Sequence, residues 1–176
     1  MKRKSPLRCA IAAALLLSAG VASTFATTYT SVLTGLWDVP ATWSPIGVPG
    51  CGDTVIISSG TTVIEDTTDC SGDLTVNGTL DMANHFLDFQ GTTFTNNGAV
   101  ISSVGFGEFD FNGVGGNTST TQNLAGTGTY NSNGRVDFHS RNATTVVPAS
   151  GTVLNGLTNW NFDGNTVLSL TSNFVV

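Results

Sequence analysis

Four short stretches, LDFQG (87–91), FDFNG (109–113), VDFHS (136–140) and WNFDG (160–164), each set an acid or its amide directly before a phenylalanine. The leading residues are Asp88, Asp110, Asp137 and Asn161. In an extended chain, neighbouring side chains point to opposite faces, so a buried phenylalanine leaves the residue before it outside. If successive copies stack as strands about 4.8 Å apart, Asp88, Asp110 and Asp137 form a column of like charges that repel. Ca²⁺, which takes carboxylate oxygens, would relieve that repulsion and makes these three the candidate metal ligands. The alternative is that turns offset the copies and each carboxylate is solvated by itself. Position alone offers a second chemistry, because glycoside hydrolysis needs two carboxyl groups about 5 to 9.5 Å apart, a spacing open to Asp88 and Asp110. Glu65, Asp66, Asp69 and Asp73 form a second acidic group with the same cation-bound and solvated readings.

The other reactive residue types make no recognisable set. His85 and His139 are the two histidines, and neither has ligand-spaced partners, so both read as polar strand residues. There is no G-x-S-x-G, and Gly113, Gly115 and Gly116 are followed by no lysine that would complete a phosphate loop. No residue is assigned a catalytic role. Of three cysteines, Cys9 lies in the N-terminal segment, which leaves Cys51 and Cys70, nineteen positions apart. An even pair in an exported chain points to a disulfide, and on consecutive turns the two would fall within the 4.4–6.8 Å Cα range that a bridge tolerates.

The elements that must carry these groups are strands. No stretch after residue 26 shows helical apolar spacing. Short β-rich runs such as TVIIS (54–58), TTVIE (61–65), HFLDF (85–89) and TTVV (144–147) are separated by Asn-Gly or Asp-Gly pairs and single glycines, the residues of tight turns. The phenylalanines of the echo, Phe89, Phe111, Phe138 and Phe162, recur at 22, 27 and 24 residues, and NGTL (77–80), NGAV (97–100), NGRV (133–136) and NGL (155–157) recur upstream of them. A repeat of about two dozen residues built of strands and turns predicts an all-β, right-handed parallel β-helix, a β-solenoid whose four phenylalanines form an interior ladder. The alternative is an antiparallel β-sandwich, whose turns are also regular.

The first 26 residues have a basic start, an apolar run from Ala10 to Leu17 and small residues before Ala26, the pattern of a secretory signal peptide cleaved after Ala26, or after Ala22. The apolar run is too short to span a bilayer. Cleavage removes Lys2, Arg3, Lys4 and Arg8, leaving Arg135 and Arg141 against twelve acidic residues. Such a chain lacks the cations that phosphate contacts require, which excludes nucleic acid as a partner. It is expected to be secreted or displayed at the cell surface.

Residues 37–53, WDVPATWSPIGVPGCGD, gather two of the three tryptophans and three of the five prolines. With the following apolar strand and the LTVNGTL run, this segment resembles the N-terminal module of bacterial secreted adhesin-like β-helix proteins, in its W-x-x-P-x-x-W start and V-P-G-x-G-D turn. It is also similar to the glycine-rich extracellular domain named for eight conserved glycines. The match covers about residues 35–80. It implies a surface or interaction protein and brings no catalytic residues. A stacked solenoid exposes its first turn and needs a cover, so residues 27–50 are expected to form an N-terminal cap, with Trp37 and Trp43 as its buried bulk and the prolines blocking strand addition. The alternative for Trp37 and Trp43 is a carbohydrate-stacking platform. Residues 51–176 are the expected rungs. Their apolar end, from Val167 to Val176, predicts continuation into a longer protein and self-association through an open last rung. The function expected is a non-enzymatic stalk or adhesion surface toward glycans or other surface proteins; the alternative is a polysaccharide lyase or hydrolase, or a carbohydrate-binding module.

Overall fold

The computed structural model describes residues 26–130, 136–142, 144–157, 160–162 and 167–169. The expected signal peptide, apart from Ala26, lies outside the described residues, as do Arg135 and most of the apolar C-terminal stretch.

Through these residues the chain visits three sheets in rotation. β1 (Thr28–Ser31) enters the first sheet and β2 (Gly35–Leu36) the second, and β3 (Trp43–Ser44) turns back along β1. β4 (Thr54–Ile57), β5 (Thr62–Ile64) and β6 (Asp69–Ser71) then occupy the first, second and third sheets. β7 (Leu74–Val76), β8 (Thr79–Asp81) and β9 (Phe86–Phe89) repeat the circuit, as do β10 (Thr93–Asn96), β11 (Ala99–Ile101) and β12 (Gly107–Phe111). β13 (Thr121–Ala125), β15 (Thr145–Pro148) and β17 (Val167–Leu168) continue the first sheet, while β14 (Val136–Ser140) and β16 (Trp160–Phe162) continue the third. The second sheet carries on as single bridges from Ala99 to Thr129 and from Thr129 to Asn155. Among the described residues the helical elements are two 3-10 turns, Pro40–Thr42 and Val114–Gly116.

Among the described residues every strand pairing is parallel except that of β1 with β3. An antiparallel sandwich is therefore not the fold. Parallel neighbours need a crossover, and here each crossover is made of the strands of the other two sheets instead of a helix. The alternation of the strands explains why they coil around one interior. Val55 and Ile57, Leu74 and Val76, and Phe94 from the first sheet meet Val63, Leu80 and Val100 from the second and Leu87, Phe89, Phe109, Phe111 and Phe138 from the third in a single buried cluster. Each fully buried Val, Leu or Phe contributes about 1.5–3 kcal/mol of transfer free energy, which is what holds strands of three to five residues in place.

The corners are where glycine is required. A Cβ on Gly98 would stand 2.0 Å from the Gly78 carbonyl oxygen one circuit before, and a Cβ on Gly91 would stand 2.3 Å from the Gly72 carbonyl carbon. The recurring Asn-Gly pairs thus mark corners that stack backbone on backbone, and Asn97 Nδ2 donates to Asn77 Oδ1 at 3.0 Å beside them. Acids fasten the opposite corners: Asp73 Oδ1 accepts from the N–H groups of Thr92 and Thr93, at 2.6 and 2.9 Å, and Asp53 accepts from Thr27 N and Gly50 N.

The segment expected to be a cap does two things. Its β1 and β2 extend the first and second sheets by one strand each, and its β3 pairs antiparallel with β1 at the edge of the first sheet. Trp37 and Trp43 are 0% and 1% exposed and pack edge to face with ring centroids 5.2 Å apart, and Trp43 Nε1 donates to the Trp37 carbonyl at 2.8 Å. Neither ring offers a face to solvent. The carbohydrate-stacking alternative for Trp37 and Trp43 is corrected accordingly: both rings are used up as interior bulk.

Candidate functional site

The outward face of the third sheet gathers most of the chemistry-bearing side chains. Strand alternation sends Phe109 and Phe111 inward from β12 and leaves Glu108 and Asp110 outside. On β14 the same rule turns Phe138 inward and sets His139 out, followed two residues on by Arg141. Pairing puts Asp110 beside Asp88 on one side and His139 on the other. Across β12 and β14 a compact ionic group results. His139 Nδ1 lies 2.9 Å from Glu108 Oε1 and 3.6 Å from Asp110 Oδ1, Arg141 Nε lies 2.9 Å from Asp110 Oδ2, and Arg141 Nη2 donates to Glu108 Oε1.

The two carboxyl groups are driven apart in acidity. Burial, and then the adjacent Glu108 carboxyl, push Asp110 up to about 8, with Arg141 only partly opposing them. Burial alone would raise Glu108 as well, but hydrogen bonds from Asp110, His139 and Arg141 outweigh it and hold Glu108 below its ordinary value. At neutral pH Asp110 carries the proton and Glu108 the charge. Burial would lower Arg141, but its contacts with Glu108 and Asp110 hold it firmly in the charged form.

The candidate ligands Asp88, Asp110 and Asp137 do not form one column. Asp88 and Asp110 are register partners, but Asp137 stands beside Glu108, two positions out of step. Asp137 is instead engaged by Asn161, whose Nδ2 donates to Asp137 Oδ2, and Asp88 Oδ2 accepts from Asn112 Nδ2 at 3.3 Å. Nor are Asp110 and Asp137 separately solvated, each being 4% exposed, while Asp88 is half-buried. Burial raises Asp137, with the Asn161 hydrogen bond opposing it. The phenylalanine ladder slips by the same two positions. Phe89 pairs with Phe111, but Phe111 pairs with Ser140, while Phe138 stacks on Phe109 at 5.3 Å and is paired with Trp160.

Glu108, Asp110 and His139 offer ligand atoms within 4.8 Å of one another. Arg141, however, already sets a cation against both carboxyl groups, so a metal would have to displace it. A pocket of about 450 Å³ opens beside the group, lined by Asp88, Asp110, Asn112 and Arg141 with Phe86 at its rim. Glu108, His139 and Arg141 escape a search for known motifs. Their signal is the pair of alternating sequences E-x-D (108–110) and H-x-R (139–141), which strand periodicity places on one face.

Cys51 and Cys70 form a disulfide with a Cα–Cα distance of 4.6 Å, joining the loop before β4 to the middle of β6. His85 sits in the turn before β9, where its N–H donates to the Met82 carbonyl at 2.7 Å. No helix among the described residues is long and apolar enough to cross a membrane. Comparisons with protein families, with curated proteins and with solved structures found no match for this chain.

Proposed function

We propose that the chain forms a right-handed parallel β-helix of an exported bacterial protein and acts without catalysis, as a rigid stalk or adhesion surface. One observation carries this reading: the polar side chains on the outer face of the third sheet are engaged with one another across neighbouring strands. Glu108 with His139 and Arg141, Asp137 with Asn161, and Asp88 with Asn112 each join successive circuits. Side chains committed in this way lock register and stiffen the stack. Right-handedness follows from the strong preference of parallel crossovers. Export is supported by the N-terminal sequence pattern and fits a disulfide, which forms in oxidising compartments. The resemblance over residues 35–80 points to the same class of surface proteins. With two arginines and no lysine beyond residue 26, the partners that suit the surface are neutral glycans or other surface proteins.

A second reading, polysaccharide hydrolysis, is favoured by one arrangement: a protonated Asp110 beside a charged Glu108 at the edge of a pocket, an acid and a base of separated acidity. Against it, Glu108 is held by both His139 and Arg141, so the base has no free approach to a sugar or a water. A glycan array probed with the secreted chain, beside reducing-sugar release from a panel of neutral and acidic polysaccharides, separates the two. The proposal expects no sugar release. Turnover that disappears in Asp110→Asn while the melting temperature is kept would establish the hydrolase instead.

A further inference from the structure

The third sheet begins one strand later than the other two. β1 and β2 extend the first and second sheets, whereas β6 is the edge of the third. At that unextended end, the segment after β2 meets the corner between β5 and β6, and four carboxyl groups come together: Asp38 from the first, and Glu65, Asp66 and Asp69 from the second.

Ligand oxygens of Asp38, Asp66 and Asp69 lie within 4.8 Å of one another. Asp38 N donates to Asp66 Oδ1 at 3.3 Å, and the Thr67 hydroxyl lies 3.2 Å from both Asp38 Oδ2 and Asp69 Oδ2. A cluster of exposed acids is ordinary by itself. Glu65 is not. It follows Val63 on the inward face, its N–H donates to the Asp81 carbonyl at 2.8 Å, and it is 1% exposed. No backbone N–H, hydroxyl, amide or cationic side chain donates to its carboxyl oxygens, and its hydrogen-bonding neighbour is the carboxyl group of Asp69. Its carboxyl faces that of Asp69, with Asp66 and Asp38 the next charges, and no arginine or histidine makes an ion pair with any of the four among the described residues.

Apart from the Asp69 carboxyl, this buried group has neither a donor nor a counter-charge, an unfavourable setting for its ionised form. Glu65 stands outside the 4.8 Å group of Asp38, Asp66 and Asp69 but faces one of its members, Asp69, and a buried carboxyl group behind three clustered acids is an arrangement that makes sense around a cation. The donors are all oxygen, they number more than four if the carboxylates bind through both oxygens, and they come from the segment after β2, the β5–β6 corner and the first residue of β6. Such a set suits Ca²⁺, which takes six to eight oxygens in adaptable geometry, better than Mg²⁺, which demands a strict octahedron. The nitrogen and sulfur ligands that zinc prefers are missing here. We propose that Asp38, Glu65, Asp66 and Asp69 form a Ca²⁺ site that ties the N-terminal segment to the first complete circuit of the stack. The site differs from the Asp88, Asp110 and Asp137 column suggested by sequence, whose members are spoken for by Asn112, Arg141 and Asn161.

The test is calorimetric titration of the EDTA-stripped secreted chain with CaCl₂, beside melting curves in EDTA and in Ca²⁺. Binding in the range of extracellular calcium modules, about 0.1–1 mM or tighter, and a higher melting temperature in Ca²⁺ are expected. The double variant Asp38→Asn, Asp66→Asn should weaken binding at least about tenfold, or roughly 1.4 kcal/mol. Asp38 is exposed and Asp66 partly so, hence these changes leave the core intact. Asp88→Asn, on the outer face of the third sheet, should leave binding unchanged. Absence of calcium binding at about 10 mM, far above the range of such modules, overturns the proposal. So does binding that survives in the double variant or is lost in Asp88→Asn.

Discussion

Glu108 and Asp110 stand two positions apart on one strand, chemically near-identical, and finish with opposite protonation because Glu108 collects the donors while Asp110 is buried beside it. The difference makes stability depend on pH in a definite direction. Asp110 has a folded pKa above its unfolded value, so its contribution is present below about 4 and is lost as pH rises toward about 8. Glu108, held below its ordinary value, has the reverse sign and loses its contribution only in acid. The melting temperature of Asp110→Asn should accordingly fall less between pH 5 and pH 8.5 than that of the unaltered protein; parallel curves across that range would contradict the assignment of the proton to Asp110. Sequence placed Asp110 on the outer face correctly but treated that face as open water. Burial there comes from side chains of the adjacent strands lying over one another, and no local pattern in the chain reports it.

At the scale of the strands, the all-β, parallel character of the chain was legible because alternation, turn residues and a recurring interval all agree; the division into three sheets was not. The register was not. The repeated Asp-Phe pairs suggest Phe138 beside Phe111, whereas Phe138 lies beside Phe109. A slip of one residue would have turned apolar side chains outward and betrayed itself. A slip of two keeps every side chain on its own face, and the longer connection between β12 and β13 absorbs the difference. The disulfide and the Asn-Gly corners were legible, the first from pairing of two cysteines one circuit apart, the second from turn chemistry. The corners also owe their glycines to contact. Gly98→Ala would press a methyl group to 2.0 Å from the Gly78 carbonyl oxygen and should destabilise the protein by about 1–3 kcal/mol in denaturant unfolding. A change below about 0.5 kcal/mol, the usual range for surface sites, would mean that the corners are looser than described.

Over the whole molecule, the proposed β-helix has each circuit touching chiefly the one before and the one after, so stability is expected to be distributed along the stack and concentrated where circuits are fastened together. The Cys51–Cys70 bridge is one fastening, and in the chain-entropy model a loop of 19 residues is worth about 3 kcal/mol. Reduction, or Cys51→Ser with Cys70→Ser, should lower the melting temperature and raise protease sensitivity first around residues 27–70. An unaltered melting temperature after complete reduction would remove the bridge from the account. The outer face of the third sheet is the second fastening, and the claim that its charged groups serve the stack is the centre of the proposal. A double-mutant cycle on Glu108→Gln and Arg141→Met, read by equilibrium unfolding, tests it most directly. Arg141 is 40% exposed, so solvent screening reduces the pair below a fully buried one, and a coupling of about 1–2 kcal/mol is predicted. Effects that add to within about 0.3 kcal/mol would show that Glu108 and Arg141 do not hold the strands together, and would contradict the account.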